Sequence, residues 1–113
     1  MKVAVYGTLK RGGRLHTNME LIKAKFIEEV EIDGFEMFHL GGYPAIVEKK
    51  GESVQAEVFE IDDAGLSRLD RVEGYPTLYQ RKMTPHGWVY FMETRDFIGD
   101  SPKIEDGNWK VRS

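Results

Sequence analysis

Two stretches of the chain combine residue types that could do chemistry, and the first is a loop. An apolar run at 3–5 is followed by Tyr6, Gly7, Thr8 and Leu9. A β-branched run predicts a buried strand, and a glycine directly after it lets the main chain approach a ligand closely. The amides of Gly7, Thr8 and Leu9 are therefore candidate ligand-binding groups. The alternative is an ordinary turn that only connects two elements.

The second stretch surrounds Glu73, which closes a predicted amphipathic helix and is followed by Gly74, Tyr75 and Pro76. Tyr75 and the later Tyr79 would half enclose its carboxyl group. Burial and the negative end of the helix dipole would both raise the pKa of Glu73, as a general acid or base at neutral pH requires. The alternative is a charged helix-end residue in water.

Other kinds of catalytic site have little support in the sequence. His16, His39 and His86 are widely scattered, without the paired spacing of metal motifs, and are interpreted as surface or turn residues. The chain has no cysteine, which excludes a disulfide framework, a thiolate nucleophile and a Cys-ligated metal. No Gly-x-Ser-x-Gly elbow is present, and the glycine-rich loop at 7–13 lacks the ending of a phosphate-binding P-loop.

Length and charge limit the possible classes of protein. The 113 residues predict a single domain, 1–113, with one hydrophobic core. The formal charge of -3, from 16 basic and 19 acidic residues, argues against a dedicated nucleic-acid binder. No apolar stretch approaches the ~20 residues needed to span a bilayer, so no membrane association is expected. We predict a cytoplasmic location, which the absence of cysteine favours.

Alternation of apolar and polar residues predicts mostly short strands. They fall at 3–5, 26–32, 35–40, 45–47, 54–61, 78–83 and 88–92. Asp33 and Gly34 predict a tight turn between the second and third of these, and residues 49–52 predict a charged turn. The segment 95–113 is polar and irregular.

Two helices are predicted, one weak and one convincing. The weak helix lies at 15–24, with Thr17 or Asn18 as its cap. The convincing helix begins at Asp62 or Asp63 and ends before Gly74, with an apolar stripe of Leu66, Leu69 and Val72. Many strands and few helices indicate an α+β domain built on a mainly β, partly barrel-like sheet.

Three motifs together resemble the γ-glutamylcyclotransferase-like superfamily. They are Val5-Tyr6-Gly7-Thr8-Leu9-Lys10-Arg11-Gly12, Val58-Phe59-Glu60-Ile61 and Leu69-Asp70-x-x-Glu73-Gly-x-Pro-x-x-Tyr79-x-Arg81. The likeness covers nearly the whole chain, in order and at similar spacing. It is closest to the small members, the γ-glutamylamine cyclotransferases and AIG2-like proteins.

The resemblance implies a fold and a site. The fold would be a small, mainly antiparallel β-barrel of about six strands with one or two flanking helices and a cavity at its mouth. Tyr6, Gly7, Thr8 and Leu9 match the substrate loop, Glu73 matches the catalytic acid/base, and Tyr79 falls where a tyrosine often lines the pocket. The resemblance implies no cofactor and no metal, and it leaves the oligomeric state open. The segment 95–113 has no catalytic counterpart.

The activity that the resemblance implies is a γ-glutamyl cyclotransferase reaction. The α-amine of a small γ-glutamyl-amine or γ-glutamyl-amino acid would attack its own γ-carbonyl, releasing 5-oxoproline and a free amine, and intact glutathione is disfavoured. An alternative is a non-catalytic domain that binds a small ligand on the same fold. A third interpretation, a structural subunit docking through Trp88, Tyr90, Phe91 and Trp109, has the least support because such residues more often fill a core.

Overall fold

The structure, a computed structural model that describes residues 1–111, is built on one six-stranded sheet. The strands are β1 Lys2–Val5, β2 Lys25–His39, β3 Pro44–Glu60, β4 Gln80–Thr84, β5 Gly87–Phe91 and β6 Lys103–Ile104. Their spatial order is β4-β5-β1-β3-β2-β6, and only the β1–β5 pair is parallel among these strands. The predicted α+β class is confirmed. The sheet is open, however, with β4 and β6 as its two edges within the described residues.

Two helices accompany the sheet, α1 Thr17–Leu21 and α2 Asp63–Glu73. The predicted start of α2 is confirmed, because the Asp62 side chain accepts a hydrogen bond from the Gly65 amide at 2.8 Å. The predicted cap of α1 is wrong: His16 occupies the capping position without a side-chain cap bond, and Thr17 is already helical. Within residues 1–111, no helix has the length and hydropathy to cross a membrane.

The long β2–β3 pair corrects two predicted turns. Gly34, with a φ of +94°, lies inside the continuous strand β2 and forms a bulge. Asp33 pairs with Ser53 and Phe35 pairs with Glu48, so Gly34 and the charged residues 49–52 lie opposite each other in one irregularity of the β2–β3 ladder. The local turn preference is overridden here, because strand pairing on both sides of this irregularity keeps β2 and β3 continuous.

The apolar residues of β1 pack on both faces of the sheet. Val3 and Val5 face a core that includes Leu69 of α2, whereas Ala4 faces a second core with Val58 and Val89. This alternation follows from the two-residue period of a strand. Since β3 and β5 also flank β1, the strand is held on every side and the loop that follows it starts from a fixed point.

Candidate active site

A cavity of about 210 Å³ lies where the chain leaves β1 and where α2 ends. Its walls include all of the site residues predicted from the sequence: Tyr6, Gly7, Thr8, Leu9, Glu73 and Tyr79. Four of these residues follow β1, Glu73 ends α2 and Tyr79 directly precedes β4, so the sheet and α2 fix the positions of all six. The loop after β1 and the end of α2, both predicted from the sequence to carry chemistry, therefore share one cavity.

The loop after β1 is a tight turn that leaves amides unused. The Gly7 carbonyl accepts a hydrogen bond from the Lys10 amide at 3.0 Å, and the Thr8 carbonyl accepts one from the Leu15 amide at 2.9 Å. In a trans peptide the N–H points away from the preceding C=O, so the Thr8 and Leu9 amides point out of the turn. Within residues 1–111 no acceptor bonds the amides of Gly7, Thr8 or Leu9. Buried donors of this kind require a partner.

Gly7 is required by packing inside the protein. A Cβ atom at this position would lie 2.6 Å from Cγ of Pro44. The close approach expected at Gly7 is therefore made by the chain's own Pro44, which also lines the cavity. Any larger residue would push Pro44 and the loop apart.

Other residues hold the loop from outside the cavity. The His16 ring contacts the Leu9 carbonyl through Nδ1 at 2.9 Å, and the Arg11 amide donates to Glu57 Oε1 at 2.8 Å. Lys10 Nζ donates to the Trp109 carbonyl at 2.7 Å. The segment 95–113, for which the sequence suggested no role, thus supports the loop through Trp109; its residues 112 and 113 lie outside the described part.

Glu73 is the last residue of α2, and its carboxyl group is enclosed by protein although the residue as a whole keeps some exposure. Within the described chain it makes no ion pair and no side-chain hydrogen bond. Burial raises the pKa of Glu73 from its ordinary 4.5 to about 7. Near neutral pH this carboxyl group can therefore both accept and return a proton.

Three tyrosines surround this carboxyl group. Burial, followed by the charges of neighbouring groups that include Glu73, raises the pKa of Tyr6 and of Tyr79. The pKa of Tyr90 is also raised, by burial first and then by its hydrogen bond to Asp70. All three phenols therefore stay protonated at neutral pH. Their hydroxyl groups can act as hydrogen-bond donors but not as bases.

The histidines predicted to be unrelated to metal binding lie apart from one another. His16 supports the loop, His39 packs against Trp109 with ring centroids 5.0 Å apart, and His86 lies in the β4–β5 turn. Across residues 1–111, no three His, Asp or Glu side chains come together as metal ligands could.

Comparison with known proteins identifies the family of this chain. The family model described as "Gamma-glutamyl cyclotransferase, AIG2-like" matches residues 3–111. The chain belongs to this family. The resemblance inferred from the three motifs is thereby confirmed, and the protein is an enzyme of the gamma-glutamylcyclotransferase family.

Relatives of similar length support this assignment. The gamma-glutamylcyclotransferase family protein YtfP of Citrobacter rodentium is 33% identical over 117 residues, which cover 99% of this chain and 97% of the relative. A crystal structure of a protein from Pyrococcus horikoshii has a TM-score of 0.78 and 28% identity, with 96% of this chain and 88% of that chain covered. The solution structure of YtfP from Escherichia coli has a TM-score of 0.70 and 30% identity, with 96% of both chains covered.

An ion-pair cluster next to the cavity of this cyclotransferase-family protein was missed from the sequence. Arg81 donates to Asp70 from Nε at 2.8 Å, and the Tyr90 hydroxyl donates to Asp70 at 2.6 Å. The Arg81 guanidinium also lies 4.4 Å from the ring centroids of both Tyr75 and Trp88. Because Asp70 precedes Glu73 by three residues on α2, the cluster ties that helix face to β4 and β5. The motif contained Asp70 and Arg81, and the i, i+3 relation of Asp70 to Glu73 on α2 was the available signal.

The rim of the cavity was also missed. Arg14 is the only cationic side chain, and Glu73 the only anionic one, among the described residues that line the cavity. The sequence offered three neighbouring cations, and nothing in their spacing distinguished Arg14. Lys10 is bonded to Asn108 and Trp109, and Arg11 pairs with Glu29 and Glu57, so only the fold shows which cation reaches the cavity.

Proposed function

We propose that this family member cyclises a small γ-glutamyl-amine or γ-glutamyl-amino acid to 5-oxoproline and a free amine, with Glu73 as the general acid/base. The observation that carries the proposal is one enclosed carboxyl group, with a pKa raised to about 7, in a small cavity beside unused loop amides. The carboxyl group could transfer protons, and the loop amides could bind an oxyanion. Cyclisation of a γ-glutamyl group requires both functions.

The proposed reaction uses the substrate's own amine as nucleophile. The Glu73 carboxylate takes one proton from the α-ammonium, whose unperturbed pKa is about 8. The freed lone pair attacks the γ-carbon, the new C–N bond closes a five-membered ring, and the carbonyl electrons move onto oxygen. Glu73 then returns its proton to the departing nitrogen as the old C–N bond breaks and the carbonyl re-forms. The second proton of the attacking nitrogen leaves with the released amine, which becomes an ammonium.

The loop amides would stabilise the tetrahedral intermediate. Thr8 and Leu9 are buried, and their N–H groups point out of the turn. Such donors need no reorganisation when negative charge develops on the γ-oxygen, and one donor commonly contributes ~3 kcal/mol. The rigid walls from β1 and α2 would also hold the flexible γ-glutamyl chain in its cyclising conformation.

This mechanism fits the residue types of the cavity. It needs no nucleophilic side chain, and the chain has no cysteine. A cavity of about 210 Å³ supports a small substrate. The cytoplasmic location expected from the sequence stays a prediction.

The test is to measure 5-oxoproline release from purified protein incubated with γ-glutamyl-amino acids, γ-glutamyl-ε-lysine and glutathione. We expect release from at least one small substrate, and a loss of about 10²- to 10⁴-fold in Glu73→Gln. Glu36→Gln is the matched control, because Glu36 is a buried carboxylate that does not line the cavity. Binding without any 5-oxoproline release would favour the ligand-binding alternative, and full activity in Glu73→Gln would refute the mechanism.

A further inference from the structure

The rim of the cavity exposes apolar side chains that a soluble surface would normally not group together. Tyr43 is 39% exposed, Val72 is 37% exposed and Leu78 is 40% exposed, and all three line the same cavity. They come from three different segments: the β2–β3 connection, α2 and the stretch before β4. The fold thus brings an apolar rim to the mouth of a cavity whose interior holds Glu73.

Arg14 completes this rim as an oriented cation. One of its terminal nitrogens donates to the Gly42 carbonyl at 3.1 Å, and no carboxylate in residues 1–111 pairs with it. Arg14 and Thr8 also line an adjoining groove of about 680 Å³. The guanidinium therefore lies where the cavity opens outward, with donors left for a planar anion such as a carboxylate.

The position of Arg14 relative to Glu73 indicates which carboxylate it would meet. The α-carboxylate of a γ-glutamyl group shares a carbon atom with the α-amine, which must reach Glu73. Glu73 lines the inner cavity and not the adjoining groove, whereas Arg14 lines both. The α-carboxylate would therefore stay inside with the α-amine, and the leaving group would extend toward the groove where Arg14 lies.

We propose that the leaving group is an α-amino acid with an apolar side chain, its carboxylate bound by Arg14 and its side chain packed against Tyr43, Val72 and Leu78. This inference rests on the proposed cyclotransferase reaction and narrows its substrate class. It predicts γ-glutamyl-leucine as a better substrate than γ-glutamyl-glycine, which lacks the side chain. It also predicts γ-glutamyl-leucine as better than γ-glutamyl-isoamylamide, which lacks only the leaving-group carboxylate.

The carboxylate is tested by the ratio of kcat/KM for γ-glutamyl-leucine to that for γ-glutamyl-isoamylamide. We expect a ratio of about 10 in the native protein, the size of one charge-assisted hydrogen bond at a partly exposed site. In Arg14→Gln the ratio should fall to about one, with Arg14→Lys between. Arg71→Gln is the matched control, because Arg71 is exposed on α2 and does not line the cavity.

The apolar rim is tested with Leu78→Asn, which should lower the ratio of kcat/KM for γ-glutamyl-leucine to that for γ-glutamyl-glycine by about tenfold. Leu21→Asn, at a 61% exposed leucine of α1, is its control.

Two outcomes separate this inference from the proposed function. An Arg14→Gln protein that loses activity equally toward γ-glutamyl-leucine and γ-glutamyl-isoamylamide would overturn this inference and leave the proposed function intact. Absence of 5-oxoproline from every substrate in the native protein would overturn the proposed function and this inference together.

Discussion

Glu36 and Glu73 are buried carboxyl groups in two regions of the molecule, and their surroundings shift their pKa values in opposite directions. The Glu36 side chain on β2 is 8% exposed, with Arg95 hydrogen-bonded to it and Lys103 Nζ 3.6 Å from Oε1. Burial alone would raise the pKa of Glu36, but the hydrogen bond and charge of Arg95, with the charge of Lys103, outweigh it and lower that pKa. Within residues 1–111 Glu73 has no such partner, and burial raises its pKa to about 7.

The difference separates a structural carboxylate from a reactive one. An ion-paired carboxylate such as Glu36 stays charged and joins β2 to the segment that contains Arg95 and β6. An isolated one in a cavity keeps its proton exchangeable at neutral pH, which costs stability whenever it is ionised. Opposite effects of pH and of mutation should therefore distinguish the two sites.

The largest expected effect is a gain of stability in Glu73→Gln at high pH. Folded protein keeps a proton on Glu73 up to about pH 7, whereas the unfolded chain loses it near 4.5, so stability of the native protein falls as pH rises through this window. Removing the charge should raise the free energy of unfolding at pH 8 by up to about 3 kcal/mol. The difference should vanish below pH 4.5. Urea unfolding at both pH values measures it, and a variant less stable at pH 8 would contradict the assignment.

The next effect concerns catalysis by the same group. Because the base form of Glu73 is needed, kcat/KM for γ-glutamyl-leucine should fall by about 100-fold between pH 8 and pH 5, with an apparent pKa near that of the buried carboxyl group. The substrate ammonium, whose unperturbed pKa is about 8, titrates only at the upper end of this range and does not set the acid limb. Initial rates of 5-oxoproline formation give the profile. A limb centred near 4.5 would mean that Glu73 is solvated, or that another carboxylate is the base.

Glu36→Gln should change the free energy of unfolding in the opposite direction to Glu73→Gln, and by a smaller amount. It leaves Arg95 and Lys103 without their anion and should lower the free energy of unfolding at pH 8 by about 1 to 2 kcal/mol, since the half-exposed Arg95 is partly screened by water. The loss should shrink as pH falls from about 4.5 through the lowered pKa of folded Glu36, and it should disappear once Glu36 is protonated in both the folded and the unfolded chain. Thermal unfolding of both proteins across pH measures this difference. The acid limb of kcat/KM should stay in place, and its movement would show that the two regions are coupled.

Much of the site could be predicted from the sequence because its signals are local. The apolar run before Gly7 predicted β1, and Asp62 with Gly74 marked the two ends of α2. These sequence signals act within a few residues, through strand propensity, helix capping and helix termination. The placement of Glu73 at the end of α2 followed directly, and its enclosure was a requirement of the expected chemistry rather than a feature of the pattern.

The features that were missed depend on distant residues. Gly34 and the charged segment 49–52 have turn composition, yet the register of β2 against β3 places them opposite each other in one bulged irregularity within continuous strands. Arg14 lines the cavity, whereas Lys10 and Arg11 are held by Trp109 and Glu57. Pairing and ion-pair choices of this kind depend on tertiary context, which local propensity does not contain.

Tyr90→Phe gives the smallest expected effect. It tests the difference between two carboxyl groups of α2, the partnered Asp70 and the isolated Glu73. The Tyr90 hydroxyl lies 2.6 Å from Asp70, a partnered carboxylate one helical turn from Glu73. Because Arg81 still holds Asp70, loss of one donor should lower the free energy of unfolding by about 1 kcal/mol. The acid limb of kcat/KM should remain at the native position, since the hydroxyl serves Asp70 and not Glu73. A limb displaced by about one pH unit would instead mean that Tyr90 stabilises the Glu73 carboxylate directly, and that the reactive group is less isolated than its comparison with Glu36 implies.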